Sequence, residues 1–138
     1  MSGHDFLGNA IAIDDPEVIG SWNEVIRAVL AHAATAPTAL QAVLDRAPNF
    51  ALAQAARGLM MMTLARREMV ALARSCHDTA KRHASDPREQ GYVKALGSWI
   101  AGDPLRASDD LDAVAAAYPS DVLAVKLAHQ IRFMAGDA

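Results

Sequence analysis

The chain has 138 residues, of which 52% are hydrophobic, so a single domain can bury a core of modest size. Its formal net charge of −3 excludes the broad basic surface of a nucleic-acid-binding protein, and its longest strongly apolar stretch, residues 58–65, is too short to span a membrane. Cys76 is the only cysteine, which excludes an internal disulfide and a multi-cysteine metal site.

The first 14 residues precede any helix signal and are predicted to form an N-terminal tail. From residue 15 onward, Ala is mixed with Leu, Met, Arg, Glu and Gln, which are all good helix formers. Strict alternation of apolar and polar residues is absent, so helices are expected and strands are not.

Helix starts are marked by Asp before Pro, since the carboxylate can cap free N–H groups and Pro fits the first turn. At the start marked by Asp86, Glu89 adds a capping-box partner. Gly102 and Gly136 follow apolar runs and suit the left-handed conformation that ends a helix. The three starts are Asp15-Pro16, Asp86-Pro87 and Asp103-Pro104. Together the signals predict seven helices, at about 16–33, 37–46, 50–65, 67–84, 87–101, 104–117 and 120–135.

Short connections between these helices require antiparallel neighbours, which gives helical hairpins. A spacing of four, three and five residues occurs twice and indicates a repeated packing unit. In each series a small residue and two large ones share a helix face, and a proline ends the element. The two series are Ala36, Leu40, Val43, Pro48 and Ala107, Leu111, Val114, Pro119.

A second register places apolar residues five, eight and twelve positions after each of Pro48, Pro87 and Pro119. It predicts the same apolar stripe in three helices. Gly58 and Gly97 lie ten residues after the first two prolines, where a missing side chain lets the paired helix approach closely. His129 occupies the third such place and is expected to pack against a neighbouring turn. The three stripes are Ala53/Ala56/Met60, Tyr92/Ala95/Trp99 and Ala124/Leu127/Ile131.

These features are typical of tetratricopeptide repeats, which have a period of 34 residues, a small residue in the first helix and a closing proline. The prolines here are 39 and 32 residues apart. We therefore predict an all-α domain over residues 15–138, built from tetratricopeptide-like hairpins in an α-α superhelix of about seven helices. The last helix lacks a partner and carries Leu127, Ile131, Phe133 and Met134, so either a truncated chain or self-association through this helix is expected.

The same residues resemble the tetratricopeptide repeat protein 38 family over residues 37–137, roughly. The resemblance implies a helical-repeat fold, of which this chain would be the N-terminal part, because family members are several times longer. One relative in antibiotic biosynthesis has led to suggestions of an oxidative enzyme. The matching stretches are Pro48-Asn49-Phe50 with Gly58; Arg88-Glu89-Gln90 with Val93 and Ala95; Gly102 with Ala107; and Pro119 to Lys126 with His129, Phe133 and Gly136.

Groups that could carry chemistry are few. The run Cys76-His77-Asp78 contains a nucleophile, a base and a carboxylate, but adjacent helical residues point about 100° apart and form no relay. His77 and His83 miss the i, i+4 spacing of a helical metal pair. No catalytic residue, metal ligand or cofactor is predicted. Residues 60–62 are all methionine, and core filling is favoured for them over an adaptable groove.

A binding groove is predicted from positions seven and eleven residues after two prolines, which face the concave side in tetratricopeptide repeats. Lys94 and Ser98 follow Pro87 in this way, and Lys126 and Gln130 follow Pro119. The two lysines could hold a carboxylate or an acidic peptide.

Three functions fit the sequence. We favour an interaction scaffold that binds a protein or peptide, with no nucleic-acid or membrane partner. The alternatives are an N-terminal fragment of a biosynthetic enzyme or small-molecule-binding protein, and a self-associating helical unit. The single thiol and the acidic N-terminus without a signal-like region favour the cytoplasm.

Overall fold

The computed structural model describes residues 3–64 and 66–136. Within these ranges the chain forms seven α-helices and one small antiparallel pair of strands, so the predicted all-helical class and the seven helices are confirmed. The strands are β1 Gly3–His4 and β2 Ala10–Ile11. The helices are α1 Pro16–Leu30, α2 Ala36–Arg46, α3 Ala51–Met62, α4 Arg67–His83, α5 Pro87–Ile100, α6 Pro104–Ala117 and α7 Val122–Met134.

The predicted helix starts are confirmed by their caps. The carboxylates of Asp15, Asp86 and Asp103 accept hydrogen bonds from backbone N–H groups in the first turns of α1, α5 and α6. Asp121 does the same for α7, although no proline follows it. Each carboxylate satisfies a donor that the helix itself leaves free.

The predicted capping box at α5 is only half formed. Asp86 accepts from Glu89 N at 2.8 Å as expected. The Glu89 carboxylate does not turn back to its own cap; it accepts from Ser85 N and, at 3.2 Å, from Leu52 N in the first turn of α3. Because Glu89 is buried at this contact, its charge serves the start of a neighbouring helix.

Helix ends also follow local backbone rules. Gly102 and Gly136 have φ values of +94° and +79°, which confirms both predicted stops. At the end of α1 the left-handed residue is His32, with φ +53°. Ala33 N donates to Ala28 O and His32 N donates to Val29 O, which is the Schellman pattern. This cap ends α1 at Leu30, three residues before the predicted end.

The expectation that no strand forms is wrong at the N-terminus. Gly3 pairs with Ile11 and His4 with Ala10. The turn between them depends on Asp5, whose Oδ1 accepts from Leu7 N at 2.9 Å and from Asn9 N at 3.0 Å. An aspartate that folds its own chain in this way is a turn signal that a search for apolar alternation misses. The predicted tail therefore contains a folded hairpin, and Ile11 is part of the core.

Successive helices pack as the hairpins α1/α2, α3/α4 and α5/α6. Helix α5 also packs on α3 and α4, while α7 packs on α6 and touches α1. Both small-large series predicted from the repeat are buried. None of the helices in the described ranges has the length and apolar character needed to cross a bilayer.

Two glycines set the spacing between neighbouring hairpins. A Cβ added at Gly58 in α3 would lie 2.4 Å from Leu96 Cδ2 in α5. One added at Gly97 in α5 would lie 3.1 Å from His77 Nε2 in α4. Close approach at these glycines was predicted within a hairpin; it occurs between hairpins, because α5 packs against both α3 and α4.

Candidate ligand-binding cleft

The C-terminal ends of α1 and α3, the first turns of α2 and the middle of α7 line an apolar depression of about 440 Å³. Its floor is formed by buried Leu40 and Leu127. Met60, Met61 and the largely exposed Leu64 line its walls. We call this depression the apolar compartment. Methionine side chains are flexible and polarizable, so such a wall can adapt to ligands of different shape.

A second depression of about 570 Å³ continues from the first along α7. The two share His32, Thr63 and Gln130 as lining residues. Lys126 and His129 give the second depression its basic character, and it is called the basic compartment. Phe133 and Met134 complete its lining. The shared residues make the two compartments adjacent, and together they are called the cleft, which has an apolar part and a basic part.

The basic side chains of the cleft lack acidic partners among the described residues. No carboxylate lines either compartment there, and Lys126 forms no ion pair with a described acidic group. Its Nζ lies 2.5 Å from His32 Nε2. By contrast, Arg132 on the same helix is paired with Asp109 and Asp112 of α6. Within the part of the chain that the structure describes, Lys126 therefore brings a positive charge without an acidic partner to the cleft.

The structure separates the four predicted groove residues into two pairs. Lys126 and Gln130 line the cleft. Ser98 Oγ donates to Asp110 Oδ2 at 2.7 Å, and Lys94 Nζ lies 3.8 Å from Asp110 Oδ1. Lys94 lines a shallow depression beside α4, away from the cleft. The two pairs differ because α7 packs against α6 and touches α1, whereas α5 lies between α3, α4 and α6.

Other sequence expectations meet different outcomes at the cleft. Met60 and Met61 are half-buried and line the apolar compartment, and Met62 lines a neighbouring cavity, so the run is not confined to the core. His129 is exposed at the cleft instead of packed in a small-residue slot. His32 was not singled out, because only the contact between α1 and α7 gives it a role.

A buried polar group, here called the polar junction, lies where the N-terminal ends of α5 and α7 meet the hairpin. It comprises Asp5 and Asn9 of the hairpin, Arg88 and Tyr92 of α5, and Asp121 of α7. Arg88 Nε donates to Asp121 Oδ2 at 2.8 Å, and Tyr92 OH donates to the same carboxylate at 2.9 Å. Asn9 Nδ2 donates to Ser120 O at 3.0 Å. The hairpin thereby ties α5 to the start of α7.

Electrostatics in the polar junction favour a fixed structural charge pair. Burial alone would lower the pKa of Arg88, but its hydrogen bond to Asp121 and the charge of that carboxylate raise it. Burial and the charge of Asp121 raise the pKa of Tyr92 well above its ordinary value. None of these three side chains lines the cleft. Arginine therefore stays charged and tyrosine stays neutral, which suits a structural bond.

The run Cys76-His77-Asp78 does not have the geometry of a catalytic relay. Cys76 is buried, and burial raises the pKa of its thiol. His77 Nδ1 lies 3.4 Å from Asp78 Oδ1, on the exposed side of α4. A buried thiol with a raised pKa is a poor nucleophile. In the described ranges no three His, Cys, Asp or Glu side chains are grouped to hold a metal ion.

No protein-family model matches the chain, and no solved structure matches it at a significant level. The resemblance to the tetratricopeptide repeat protein 38 family therefore stays a prediction. The observations about function come from the geometry of the cleft.

Proposed function

We propose that this chain is a tetratricopeptide-like interaction protein that binds a short segment of another protein in the cleft. The observation that carries the proposal is that the two compartments are adjacent and share His32, Thr63 and Gln130. Adjacent compartments of this kind can accept a segment that has apolar side chains at one end and acidic groups at the other. Protein recognition commonly uses such grooves between helices.

The repeat assignment is supported by the register. Equivalent positions in the two small-large series are buried, and the hairpins α3/α4 and α5/α6 lie side by side. In helical-repeat proteins, stacked hairpins create a surface on which an extended ligand can lie. The cleft differs from a simple repeat groove because α1 contributes to it through its contact with α7.

The chemistry of the cleft defines the partner segment. Leu64 is 57% exposed and Phe133 is 75% exposed, so large apolar side chains at the cleft are open to solvent. Exposed apolar groups ringed by polar ones are typical of interaction sites. The basic compartment favours a segment with at least one carboxylate. The lone thiol suits a reducing compartment, and we place the interaction in the cytoplasm.

A second candidate is a small amphipathic molecule. It is favoured by the size of the compartments, about 440 and 570 Å³, since cavities that bind small molecules fall in the range of about 300–1,000 Å³. This alternative also covers the reading in which the chain is part of a biosynthetic enzyme. A peptide is preferred because the cleft is open along its length and its apolar walls continue onto the exposed surface of α7.

The test is selection of dodecapeptides from a random displayed library on the whole chain, followed by affinity measurement with fluorescent synthetic peptides. Leu64→Asp changes the cleft, while Leu72→Asp changes an exposed leucine of α4 that does not line it. We expect selected peptides to bind wild type and Leu72→Asp equally, and Leu64→Asp at least about tenfold more weakly.

Two results would contradict the proposal. One is a set of selected peptides of which none binds Leu64→Asp more weakly than it binds wild type and Leu72→Asp. The other is a dimer, detected by light scattering over a range of concentrations, that Leu64→Asp dissociates and Leu72→Asp does not. The second result would show that a copy of the chain, through its last helix, covers the cleft.

A further inference from the structure

We infer that His32, Lys126 and Gln130 form a carboxylate-binding subsite within the cleft, which holds an acidic side chain or the C-terminal carboxylate of the bound segment. This inference rests on the proposed function, because it specifies which chemical group the partner must bring. The subsite lies where the basic compartment meets the apolar one.

The three residues come from α7 and from the turn after α1, which are distant in sequence. Lys126 and Gln130 are four residues apart on α7, so their side chains lie on one face. His32 lies just beyond the end of α1 and lines both compartments, as does Gln130. The contact between α1 and α7 therefore brings an ammonium, an imidazole and an amide to one place.

The short contact between Lys126 and His32 defines the chemistry of this place. An ammonium only donates hydrogen bonds, so at 2.5 Å from Lys126 Nζ the imidazole Nε2 acts as acceptor. One ammonium N–H is used in this way, and two remain for a ligand. The Gln130 amide supplies further N–H groups nearby. A carboxylate is the group that accepts several such bonds with its two oxygens.

Neighbouring charges distinguish Lys126 from two other cations of α5 and α7. Arg132 is held by Asp109 and Asp112, and Lys94 lies beside Asp110. Within the described ranges, no carboxylate lines the cavity that contains Lys126. The C-terminal end of α1, just before His32, carries the negative end of that helix's dipole, which favours a cation beside it.

The backbone at His32 supports the assignment independently of charge. A non-glycine residue with φ +53° is strained. Gly102 and Gly136 perform the same helix-ending task without a side chain. Histidine at this position keeps an imidazole beside Lys126 but leaves the backbone strained. Strained residues of this kind cluster at ligand sites.

The subsite is tested with the peptides that depend on Leu64. Each peptide is synthesised as its acidic form and as forms in which one Asp or Glu at a time is replaced by Asn or Gln. A further form carries a C-terminal amide. Affinities are measured for wild type, Lys126→Met and the matched lysine control Lys94→Met. The side-chain and C-terminal forms distinguish the two sources of the carboxylate.

We expect neutralisation of one particular carboxylate to weaken binding to wild type by about tenfold or more, as for a charged hydrogen bond. Lys126→Met should produce the same loss, and it should make the acidic and neutral forms bind equally. Lys94→Met should bind like wild type. A Gln130→Leu variant should lose part of the same preference.

The outcomes separate this inference from the function on which it rests. If peptides depend on Leu64 but bind wild type and Lys126→Met equally, or if every neutral form binds as well as the acidic one, the subsite is wrong and the cleft remains the binding site. If binding does not depend on Leu64, the proposed function is wrong. Thermal unfolding of each variant shows that it is folded, and an unfolded Lys126→Met is replaced in the test by Lys126→Gln.

Discussion

The polar junction and the cleft treat charge in opposite ways. In the polar junction, Arg88 and Asp121 are 3% and 1% exposed and hydrogen-bonded to each other. At the cleft, Lys126 has no acidic partner among the residues described. A buried charge must be paired because water cannot solvate it, whereas a cation at an open surface can remain without a partner. The difference indicates that the polar junction stabilises the fold and that the cleft is available to a ligand.

The largest expected effect comes from breaking the ion pair of the polar junction. Asp121→Ala leaves the Arg88 guanidinium buried without its carboxylate and removes the cap of α7. We expect the free energy of unfolding to fall by about 3–5 kcal/mol, measured by urea denaturation. Asp109→Ala is the matched control, since it removes one exposed carboxylate near Arg132. Its expected loss is below about 1 kcal/mol. Equal losses in the two variants would contradict a structural role for the polar junction.

The polar junction also shows what could be predicted from the sequence. Asp-Pro pairs and glycines predicted most helix boundaries, because capping and left-handed turns depend on adjacent residues. Asp121 and Glu89 belong to the same class of helix-capping residues, but their partners Arg88 and Leu52 lie 33 and 37 residues away. No local pattern indicates contacts over such distances.

The cleft was predicted only in part for a similar reason. Counting from proline identified Lys126 and Gln130, because residues four apart share a helix face. The same count placed Lys94 and Ser98 beside them, which the packing of α5 and α7 does not allow. His32 was missed because its importance depends on the contact of α1 with α7. The hairpin of β1 and β2 was missed because two-residue strands have no detectable alternation.

A smaller effect tests the packing of α3, whose last turn lines the cleft. Gly58→Ala adds a Cβ at 2.4 Å from Leu96 Cδ2, between two hairpins. We expect a loss of about 1–3 kcal/mol in the free energy of unfolding. In the control, Gly20→Ala in α1, the added Cβ meets no atom within 4 Å. That variant should gain about 0.5–1 kcal/mol, and a gain in both variants would contradict close packing of α3 on α5.

The smallest expected effect on stability concerns the cleft. His32→Gly removes a side chain from a left-handed backbone position, so the free energy of unfolding should rise by about 0.5–1 kcal/mol. The same variant should bind the selected peptides more weakly, because Lys126 loses the imidazole that holds its ammonium. A less stable variant would contradict the backbone strain at His32, and unchanged peptide binding would show that the histidine has no part in the cleft.

The most direct test of the account is a nitrogen-15 NMR titration of the whole chain with a selected acidic peptide. We expect the largest amide shift changes in residues 28–33, 60–64 and 126–134, which surround the cleft, and unchanged signals for residues 88–92 in the polar junction. Changes concentrated around Lys94 and Ser98, or in the polar junction, would contradict the assignment of the cleft as the binding surface.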